Sequence, residues 1–362
     1  MGGGADAHPR TFGARRDRGR WRRRLLAVAL SLLVSLTVAE VVARVRFGAP
    51  LPERLPISRI QANPHRGWEM VPGEAHYTYR HLVRINAHGL RGPEIPPRAE
   101  DGPRELRVLA LGDSLVYGQG VADDQTLPAL LEQRLSATDP ETRRWRVINA
   151  GHRAYDTHQE LALLRELGPE LAPDVVILFW FWNDLKERDI PDTYARLKAS
   201  GPVAFDVGAP MEGWTEIRWR LGQIARKSAL VMWLHDRLGA ARAGPLGRAY
   251  VEDGLKQLDR YLAQLHELGE RLGFLPVFVA VPEAGLLSGP HPGGAITDAA
   301  LELAGTHRLP VLDLMDPVHA LHEATGTPPV IPYDGHYTAA ANAAMAERTA
   351  EFLIATLADD GR

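Results

Sequence analysis

The sequence predicts an α/β protein whose parallel sheet is covered by helices on both faces, with a membrane-spanning helix ahead of it. From residue 107 onward, short apolar runs alternate with longer amphipathic stretches. Fully apolar strands are typical of a sheet buried on both faces, and helices between strands imply parallel connections. A separate apolar run at residues 25–43 follows a cluster of arginines. That arrangement is typical of a membrane anchor or a signal segment.

The N-terminal segment is the first element along the chain. Residues 1–24 hold eight arginines and two aspartates, and the next 19 residues are mostly apolar. About 20 apolar residues cross a bilayer. Because basic residues stay on the cytoplasmic side, we expect a cytoplasmic tail, a single-pass anchor and an extracytoplasmic body, periplasmic in a bacterium. The alternative is a signal peptide cleaved near Val41-Val42-Ala43, which is a poor cleavage site.

Composition excludes several classes of protein. Removing the tail from the totals of 42 basic and 45 acidic residues leaves 34 and 43. A body this acidic argues against a nucleic-acid partner, because phosphate binding needs a basic surface. The chain has no cysteine, which excludes disulfides, thiolate metal sites and a cysteine nucleophile.

Residues 44–106 are predicted to form a linker and a small N-terminal segment. Four prolines in residues 48–64 favour an extended chain leaving the membrane. A strand-like run follows at residues 76–85, and residues 86–92 are rich in turn formers.

Residues 107–362 are predicted to form the main domain. The predicted strands are residues 107–111, 146–149, 174–182, 275–281 and 310–314, and the predicted helices are residues 127–135, 157–167, 250–272, 296–306 and 339–357. Residues 185–249 interrupt this alternation, and we interpret them as an insertion over the carboxyl edge of the sheet with a helix near residues 224–238. Local packing of its tryptophans is favoured over a substrate-facing lid.

Ser114 is the first candidate for chemistry. It stands in Gly112-Asp113-Ser114-Leu115, directly after a predicted strand. Ligands bind at the carboxyl ends of parallel strands, and a following helix would aim N–H groups at a developing oxyanion. The alternative is an ordinary turn in which the serine caps the helix. The nucleophile elbow of α/β-hydrolases is excluded because Val116 stands where that motif needs glycine.

Two further motifs follow the next two strands. Asn149-Ala150-Gly151 ends the second, and Trp182-Asn183-Asp184 ends the third. Glycine lets a backbone N–H approach a substrate, and the Asn183 amide is another donor. Each motif alone is more typical of a plain turn, but together they would line one crevice if their strands are neighbours.

A base for the serine is predicted just before the last helix. Asp334 and His336 stand two residues apart and would supply a base and the group that fixes its tautomer. Asp313 and Asp316 are weaker candidates for that second role. His319 and nearby His322 lack a third ligand, so we predict no metal and no cofactor.

Together these motifs resemble the SGNH family of GDSL hydrolases, with blocks in the right order over residues 107–357. The resemblance implies a flavodoxin-like three-layer α/β/α sandwich. It also implies Ser114 as nucleophile, His336 as base and Asp334 as its orienting partner. The Ser114 N–H, the Gly151 N–H and the Asn183 side chain would form the oxyanion hole.

Two departures from the family pattern stand out. Trp182 occupies the usual glycine of the third block, and the last block has the spacing Asp-x-His instead of Asp-x-x-His. The first departure affects the shape of the pocket, and the second affects the assignment of Asp334 as the residue that orients His336. Residues 86–92 and the N-terminal anchor also resemble membrane-tethered members.

The predicted function is that of an extracytoplasmic serine esterase acting on short acyl esters such as acetyl groups, with a small molecule or a glycan as substrate. Two alternatives stay open. One is an O-acyltransferase acting on extracytoplasmic glycans, because the same triad serves water or a sugar hydroxyl. The other is a non-catalytic module that binds glycan.

Overall fold

The structure is a computed structural model that describes residues 14–98, 104–138, 143–185, 187–242, 247–288 and 292–360. Its strands are β1 (Arg59–Asn63), β2 (Gly67–Met70), β3 (Ala75–Thr78), β4 (His81–Arg84), β5 (Arg104–Gly112), β6 (Arg143–Gly151), β7 (Val175–Trp180), β8 (Val203–Ala204), β9 (Leu275–Ala280) and β10 (Val311–Asp313). Its helices are α1 (Ala14–Phe47), α2 (Ser114–Tyr117), α3 (Leu127–Thr138), α4 (Thr157–Leu171), α5 (Ile190–Ser200), α6 (Gly213–Ala225), α7 (Ala229–Arg242), α8 (Arg248–Leu272), α9 (Pro292–Thr306), α10 (Met315–Thr325) and α11 (Ala339–Asp359).

The central sheet has five parallel strands in the order β10-β9-β7-β5-β6. Numbered along the chain within this sheet, that is the 2-1-3-4-5 order of flavodoxin-like folds. Gly112 at the end of β5 pairs with Gly151 of β6 on one side and with Phe179 of β7 on the other. The ends of these three strands therefore lie side by side, as the site motifs require.

The core lies in two layers, one on each face of the sheet. Leu109 and Leu111 of β5 pack with α4 and α8 on one face, whereas Val108 and Ala110 pack with α3 and α11 on the other. These four side chains are completely buried. Burial of a leucine or valine contributes about 1.5–3 kcal/mol. The predicted three-layer sandwich is confirmed, and its cause is this alternation along strands covered on both sides.

The run at residues 76–85 is not one strand, as we expected, but the antiparallel hairpin β3–β4. The chain reverses at Tyr79, whose φ of 51° is unusual for a residue other than glycine. No glycine or proline marks this turn, so the sequence pattern does not show the reversal. A second small sheet, in the order β2-β1-β8, joins the N-terminal segment to the 185–249 region.

The helix expected near residues 224–238 is interrupted, since α6 ends at Ala225 and α7 begins at Ala229. The Ser228 hydroxyl accepts the Val231 N–H at 3.2 Å, and Glu40 of α1 accepts the N–H groups of Ala229 and Leu230. A side chain distant in sequence thus caps the start of α7. This tertiary contact supports a break that a window of apolar spacing does not reveal.

Helix α1 extends beyond the predicted span of residues 25–43 at both ends. Its part from Arg20 to Phe47 is long and apolar enough to cross a membrane, with a mean hydropathy of 2.4 in its most apolar window, and no residue of that window is buried. It is the one helix with these properties in the part of the chain that the structure describes. A signal sequence near the N-terminus has the same features.

Arg66, between β1 and β2, ties the small N-terminal sheet to the sandwich. Its side chain is 1% exposed and donates to Glu166 of α4 at 2.9 Å and to Glu69 at 2.7 Å. It also contacts the Tyr155 hydroxyl at 3.2 Å, and its carbonyl accepts from Gln159 at 2.7 Å. The guanidinium and the backbone carbonyl of Arg66 therefore both form hydrogen bonds that connect the two parts of the structure.

Replacing Arg66 by alanine should lower the free energy of unfolding by about 3–5 kcal/mol, because Glu69 and Glu166 lose a buried partner. Urea unfolding of the full chain in detergent measures the change. The matched control is Arg196→Ala, which breaks an exposed pair with Asp192 and should cost no more than about 0.5 kcal/mol. Equal effects of the two changes would contradict the structural role of Arg66.

Candidate active site

Ser114 is the first residue of α2, immediately beyond the end of β5. The helix cap is Asp113, whose carboxylate accepts the Leu115 N–H at 2.8 Å. The alternative in which Ser114 merely caps the helix is therefore wrong. Gly112 makes the turn possible, since a Cβ there would lie 2.4 Å from Val116 Cγ2.

His336 is the direct partner of Ser114. Its Nε2 lies 2.7 Å from Ser114 Oγ, although 222 positions separate the two residues in the chain. On the other side of the ring, Nδ1 is hydrogen-bonded to Asp334 Oδ1. With Nδ1 carrying the proton toward the carboxylate, Nε2 is free to accept the Ser114 proton. The three predicted residues therefore form a continuous Ser–His–Asp chain of hydrogen bonds.

The two-residue spacing of Asp334 and His336 has a local explanation. Tyr333 and Gly335, on either side of Asp334, have φ values of 62° and 88°. This tight turn lets Asp334 Oδ1 accept both the His336 backbone N–H, at 3.1 Å, and the His336 ring N–H. Asp313, one of the two weaker candidates, instead accepts the N–H of Met315, the first residue of α10, at 2.9 Å.

Asp334 also accepts a hydrogen bond from the hydroxyl of Tyr79, in the turn between β3 and β4. Burial alone would raise the pKa of Asp334, but the hydrogen bonds from His336 and Tyr79 and the charge of His336 outweigh it and lower that pKa. Burial and the negative charge of Asp334 raise the pKa of Tyr79, so its hydroxyl remains a donor. No motif in the sequence pointed to Tyr79, because it belongs to the N-terminal segment.

Asn183 and Gly151 lie where the neighbouring strands end. The Asn183 side-chain amide donates to Asp113 at 3.2 Å, which brings the third motif beside the first. A Cβ on Gly151 would lie 2.2 Å from the Tyr117 backbone nitrogen, so only glycine lets α2 pack against the end of β6. The Gly151 N–H itself donates to Asn149 Oδ1 at 3.0 Å.

Trp182, which replaces the usual glycine of the third motif, is half-buried beside Asn183. Its indole N–H donates to Glu283 in the loop after β9, and its ring lies 6.0 Å from that of Phe181. The tryptophan thus links the loops that follow β7 and β9.

A group of buried carboxyl side chains lies behind Ser114 and Asn183. Asp113, Glu160 and Asp184 are at most 6% exposed. Burial and mutual repulsion raise the pKa values of Glu160 and Asp184 well above the ordinary range, and burial also raises the pKa of Asp113. Asp184 accepts the Phe181 N–H at 3.0 Å, whereas neither Glu160 oxygen has a hydrogen-bond partner among the described residues. The sequence gives no sign that Glu160 is buried, since the polar residues Thr157, His158 and Gln159 directly precede it on α4.

Within the described ranges, no group of three or more histidine, aspartate or glutamate side chains is arranged to hold a metal ion. His319 of α10 lies 3.7 Å from Glu323, four residues along the same helix.

The parallel α/β/α sandwich carries the candidate site at the carboxyl edge of its sheet, and the class of the protein follows from the family comparison. Residues 110–344 match the GDSL-like lipase/acylhydrolase family. The match spans more than half of the chain, and the chain belongs to this family. It is an enzyme that hydrolyses ester bonds.

Several solved structures are similar to this chain. TesA is 18% identical with a TM-score of 0.38, over 70% of this chain and 98% of TesA. The psychrotrophic esterase EstA from Pseudoalteromonas sp. is 12% identical with a TM-score of 0.40, over 69% of this chain and 98% of EstA. A two-domain esterase, CEX, described as active on acetylated mannans, is 12% identical with a TM-score of 0.42, over 69% of this chain and 49% of CEX. No curated protein matches the sequence.

Replacing Glu160 by glutamine should stabilise the protein as the pH rises. Because the pKa of Glu160 is raised in the folded state, there is a pH range in which the unfolded chain ionises Glu160 in water while the folded chain keeps it protonated. Across that range the wild type loses stability as the pH rises, and above it the folded chain carries a buried charge. Below the ordinary glutamate pKa the wild type and the variant should have similar stability. Above it the advantage of the variant should grow by at most about 1.4 kcal/mol per pH unit, until the folded-state pKa is passed.

Urea unfolding at a series of pH values measures this difference. Glu267→Gln, an exposed change on α8, is the matched control and should show no such trend. An advantage of Glu160→Gln that stays constant or shrinks with rising pH would contradict the raised pKa.

Proposed function

We propose that this enzyme is an extracytoplasmic serine esterase in which Ser114 is the nucleophile, His336 the general base and Asp334 the group that orients His336. The observation that carries the proposal is the 2.7 Å contact between Ser114 Oγ and His336 Nε2, with Asp334 on the far side of the ring. Ser114 also stands at the carboxyl edge of the sheet, where α/β folds bind ligands.

The proposed reaction has two halves. Ser114 Oγ attacks the ester carbonyl while its proton passes to His336 Nε2, and Asp334 stabilises the imidazolium that forms. His336 then gives this proton to the leaving alkoxide, which departs as the alcohol and leaves an acyl-serine. Water, deprotonated by His336, attacks the acyl-serine in the second half; the acyl group leaves as a carboxylic acid, and His336 returns the proton to Ser114 Oγ.

The proposed oxyanion hole consists of the Ser114 N–H, the Asn183 amide and the Gly151 N–H. Ser114 opens α2, and N–H groups in the first turn of a helix have no partner within the helix. An amide has two N–H donors, so Asn183 can hold Asp113 with one and meet the oxyanion with the other. Gly151 would join them once the Asn149 side chain releases its N–H.

We propose short acyl esters, such as acetyl groups on carbohydrate, as the substrates. The presence of Trp182 next to Asn183 in the chain, where the family usually has glycine, supports a small acyl group, because a large side chain there leaves less room than a glycine would. The extracytoplasmic location is supported by the apolar part of α1 and by the arginines that precede it.

Ser114→Ala tests the nucleophile and should reduce hydrolysis of aryl acetates by at least about 10³-fold. The full chain in detergent is assayed with acyl groups of increasing length, and added acetylated sugars test the carbohydrate substrate. Ser200→Ala, an exposed change at the end of α5, is the control and should keep full activity. Full activity of Ser114→Ala would overturn the mechanism, and transfer of acetyl to a sugar hydroxyl instead of water would identify an acyltransferase.

Tyr79→Phe should lower kcat by about tenfold and leave KM nearly unchanged, because Asp334 loses a hydrogen bond that helps to hold His336 in place. Tyr77→Phe removes a hydroxyl from the same hairpin and is the control. If Tyr79 acts through Asp334, its effect on kcat should disappear in an Asp334→Asn background. Additive losses in the double variant would contradict a positioning role.

A further inference from the structure

Helix α6 carries a row of exposed apolar side chains. Trp214, Ile217, Leu221 and Ile224 are between 46% and 82% exposed. Their spacing of three, four and three residues places them on one side of the helix. An amphipathic helix normally buries such a stripe, so this one lacks the usual cover of the protein core.

The next helix, α7, shows the same pattern. Val231, Leu234 and Leu238 are 45–50% exposed and are again three and four residues apart. Apart from α1, the other exposed large apolar residues of the described chain are scattered: Leu82, Tyr250, Val311 and Ile354. Single exposed apolar residues are ordinary, whereas grouped ones mark a contact surface.

The start of α7 is fixed to α1 at Glu40. The Glu40 carboxylate accepts from the Ser228 hydroxyl at 2.7 Å and from the N–H groups of Ala229 at 2.9 Å and Leu230 at 3.0 Å. One turn further along α1, Arg44 donates to the carbonyl of Lys227. These bonds hold the α6–α7 turn and the first residues of α7 at the level of Glu40.

The stacking of Phe47 on Trp233 extends this contact along both helices, with ring centroids 6.2 Å apart. The interface between α1 and α7 therefore runs from Glu40 to the last residue of α1. The exposed stripe of α7 begins beside this interface, at Val231.

The position of Glu40 along α1 relates α7 to the bilayer. Fifteen residues separate Leu25 from Glu40, which is about 22 Å at 1.5 Å per residue. A hydrocarbon core is about 30 Å thick. A bilayer that α1 enters at Leu25 therefore extends past Glu40 and reaches the beginning of α7. A carboxylate at that depth is costly unless it is partnered, and the Ser228 hydroxyl and the first two N–H groups of α7 partner it.

The charge of this region suits a membrane surface. Residues 213–242 contain six basic and two acidic residues. Subtracting them from the 34 basic and 43 acidic residues that follow the N-terminal tail leaves 28 and 41. A basic segment on an otherwise acidic body is attracted to anionic lipid headgroups, by about 1 kcal/mol for each lysine or arginine near the surface.

We propose that α6 and α7 form a membrane-contact element that lies in the outer interface of the bilayer spanned by α1. Their exposed stripes contact the acyl chains, and the basic residues between and beside the stripes contact anionic headgroups. This inference rests on the membrane anchor and the outward orientation proposed above. The partner is the lipid bilayer itself, because α7 is attached to the helix that the bilayer surrounds.

The contact has a consequence for the position of the active site. A cavity of about 980 Å³ lies between the end of α1, α7 and the loop that carries Asp334, with Phe47, Trp233 and Tyr333 in its wall. The catalytic loop is therefore a direct neighbour of the membrane-contact element. With α6 and α7 on the bilayer, the esterase site is held close to the membrane surface.

The absence of cysteine from the chain allows a direct test with single nitroxide labels. Leu221→Cys on α6 and Leu234→Cys on α7 probe the proposed contact, Leu33→Cys probes α1, and Ile354→Cys on α11 is the matched control. The full chain is reconstituted in vesicles of phosphatidylcholine and phosphatidylglycerol. Collision of each label with oxygen, which concentrates in lipid, is compared with collision with a water-soluble nickel complex. Esterase activity of each variant checks that it is folded.

We expect labels at positions 221 and 234 to resemble the label at position 33, with high oxygen and low nickel collision rates, and the label at position 354 to be aqueous. Labels at 221 and 234 that behave like the one at 354, while position 33 is in lipid, would overturn this inference and leave the anchor intact. An aqueous label at position 33 would instead overturn the anchor. Strong spin–spin broadening at 221 or 234 would show that a second copy of the chain covers the stripes and would also overturn the inference.

Changing the charge of the lipid headgroups gives a second test with the same labelled variants. In vesicles of phosphatidylcholine alone, the label at position 221 should lose part of its protection from nickel, because the basic residues lose their anionic partners. Arg218→Gln with Arg220→Gln should have the same effect in the mixed vesicles. Unchanged protection in both cases would overturn the headgroup contact.

Discussion

Gly112 at the end of β5 pairs with Gly151 of β6 and with Phe179 of β7, and this parallel register determines where the three motifs that follow these strands lie. It brings the residues after three strands to one edge of the sheet, so that Ser114, Gly151 and Asn183 become neighbours. A slip by one residue would turn alternate side chains of β5 to the opposite layer of the core. The two core layers therefore stabilise the sandwich and also keep the strands that carry the candidate site in register.

Close packing at this edge leaves little freedom. The backbone of α2 lies directly against Gly151, Asp113 caps α2, and the Asn183 amide is hydrogen-bonded to Asp113. Glu160 and Asp184 lie behind these groups without a cation beside them among the described residues, which burial makes costly. The neighbourhood of the site thus carries an electrostatic cost that the rest of the core must offset, as is common at functional sites.

The site is also completed from outside the sandwich. Tyr79 comes from a hairpin of the N-terminal segment, and Arg66 ties that segment to α4. On the other side of the Asp334 loop, α7 is attached to α1 through Glu40. The loop that carries Asp334 and His336 therefore lies between the N-terminal hairpin and the helix pair that we propose to contact the bilayer. In the arrangement that we propose, these contacts couple the position of the site to the membrane.

The sequence by itself predicted the sandwich, the five strands of its central sheet in their chain order, and Ser114, Gly151, Asn183, Asp334 and His336 as candidate site residues. These features are local, since apolar periodicity and short motifs at strand ends are visible within a few residues. The sequence did not reveal the β3–β4 hairpin, because its turn at Tyr79 uses neither glycine nor proline. It also did not reveal the break before α7, because Glu40 caps that helix from 189 positions away.

Only the tertiary structure decided that Asp113, and not Ser114, caps α2, that Tyr79 contacts Asp334 across 255 positions, and that Glu160 lies buried behind the site. The physical reason is the same in each case. These features depend on contacts between side chains that form only when the chain has folded, and no local sequence pattern encodes such contacts.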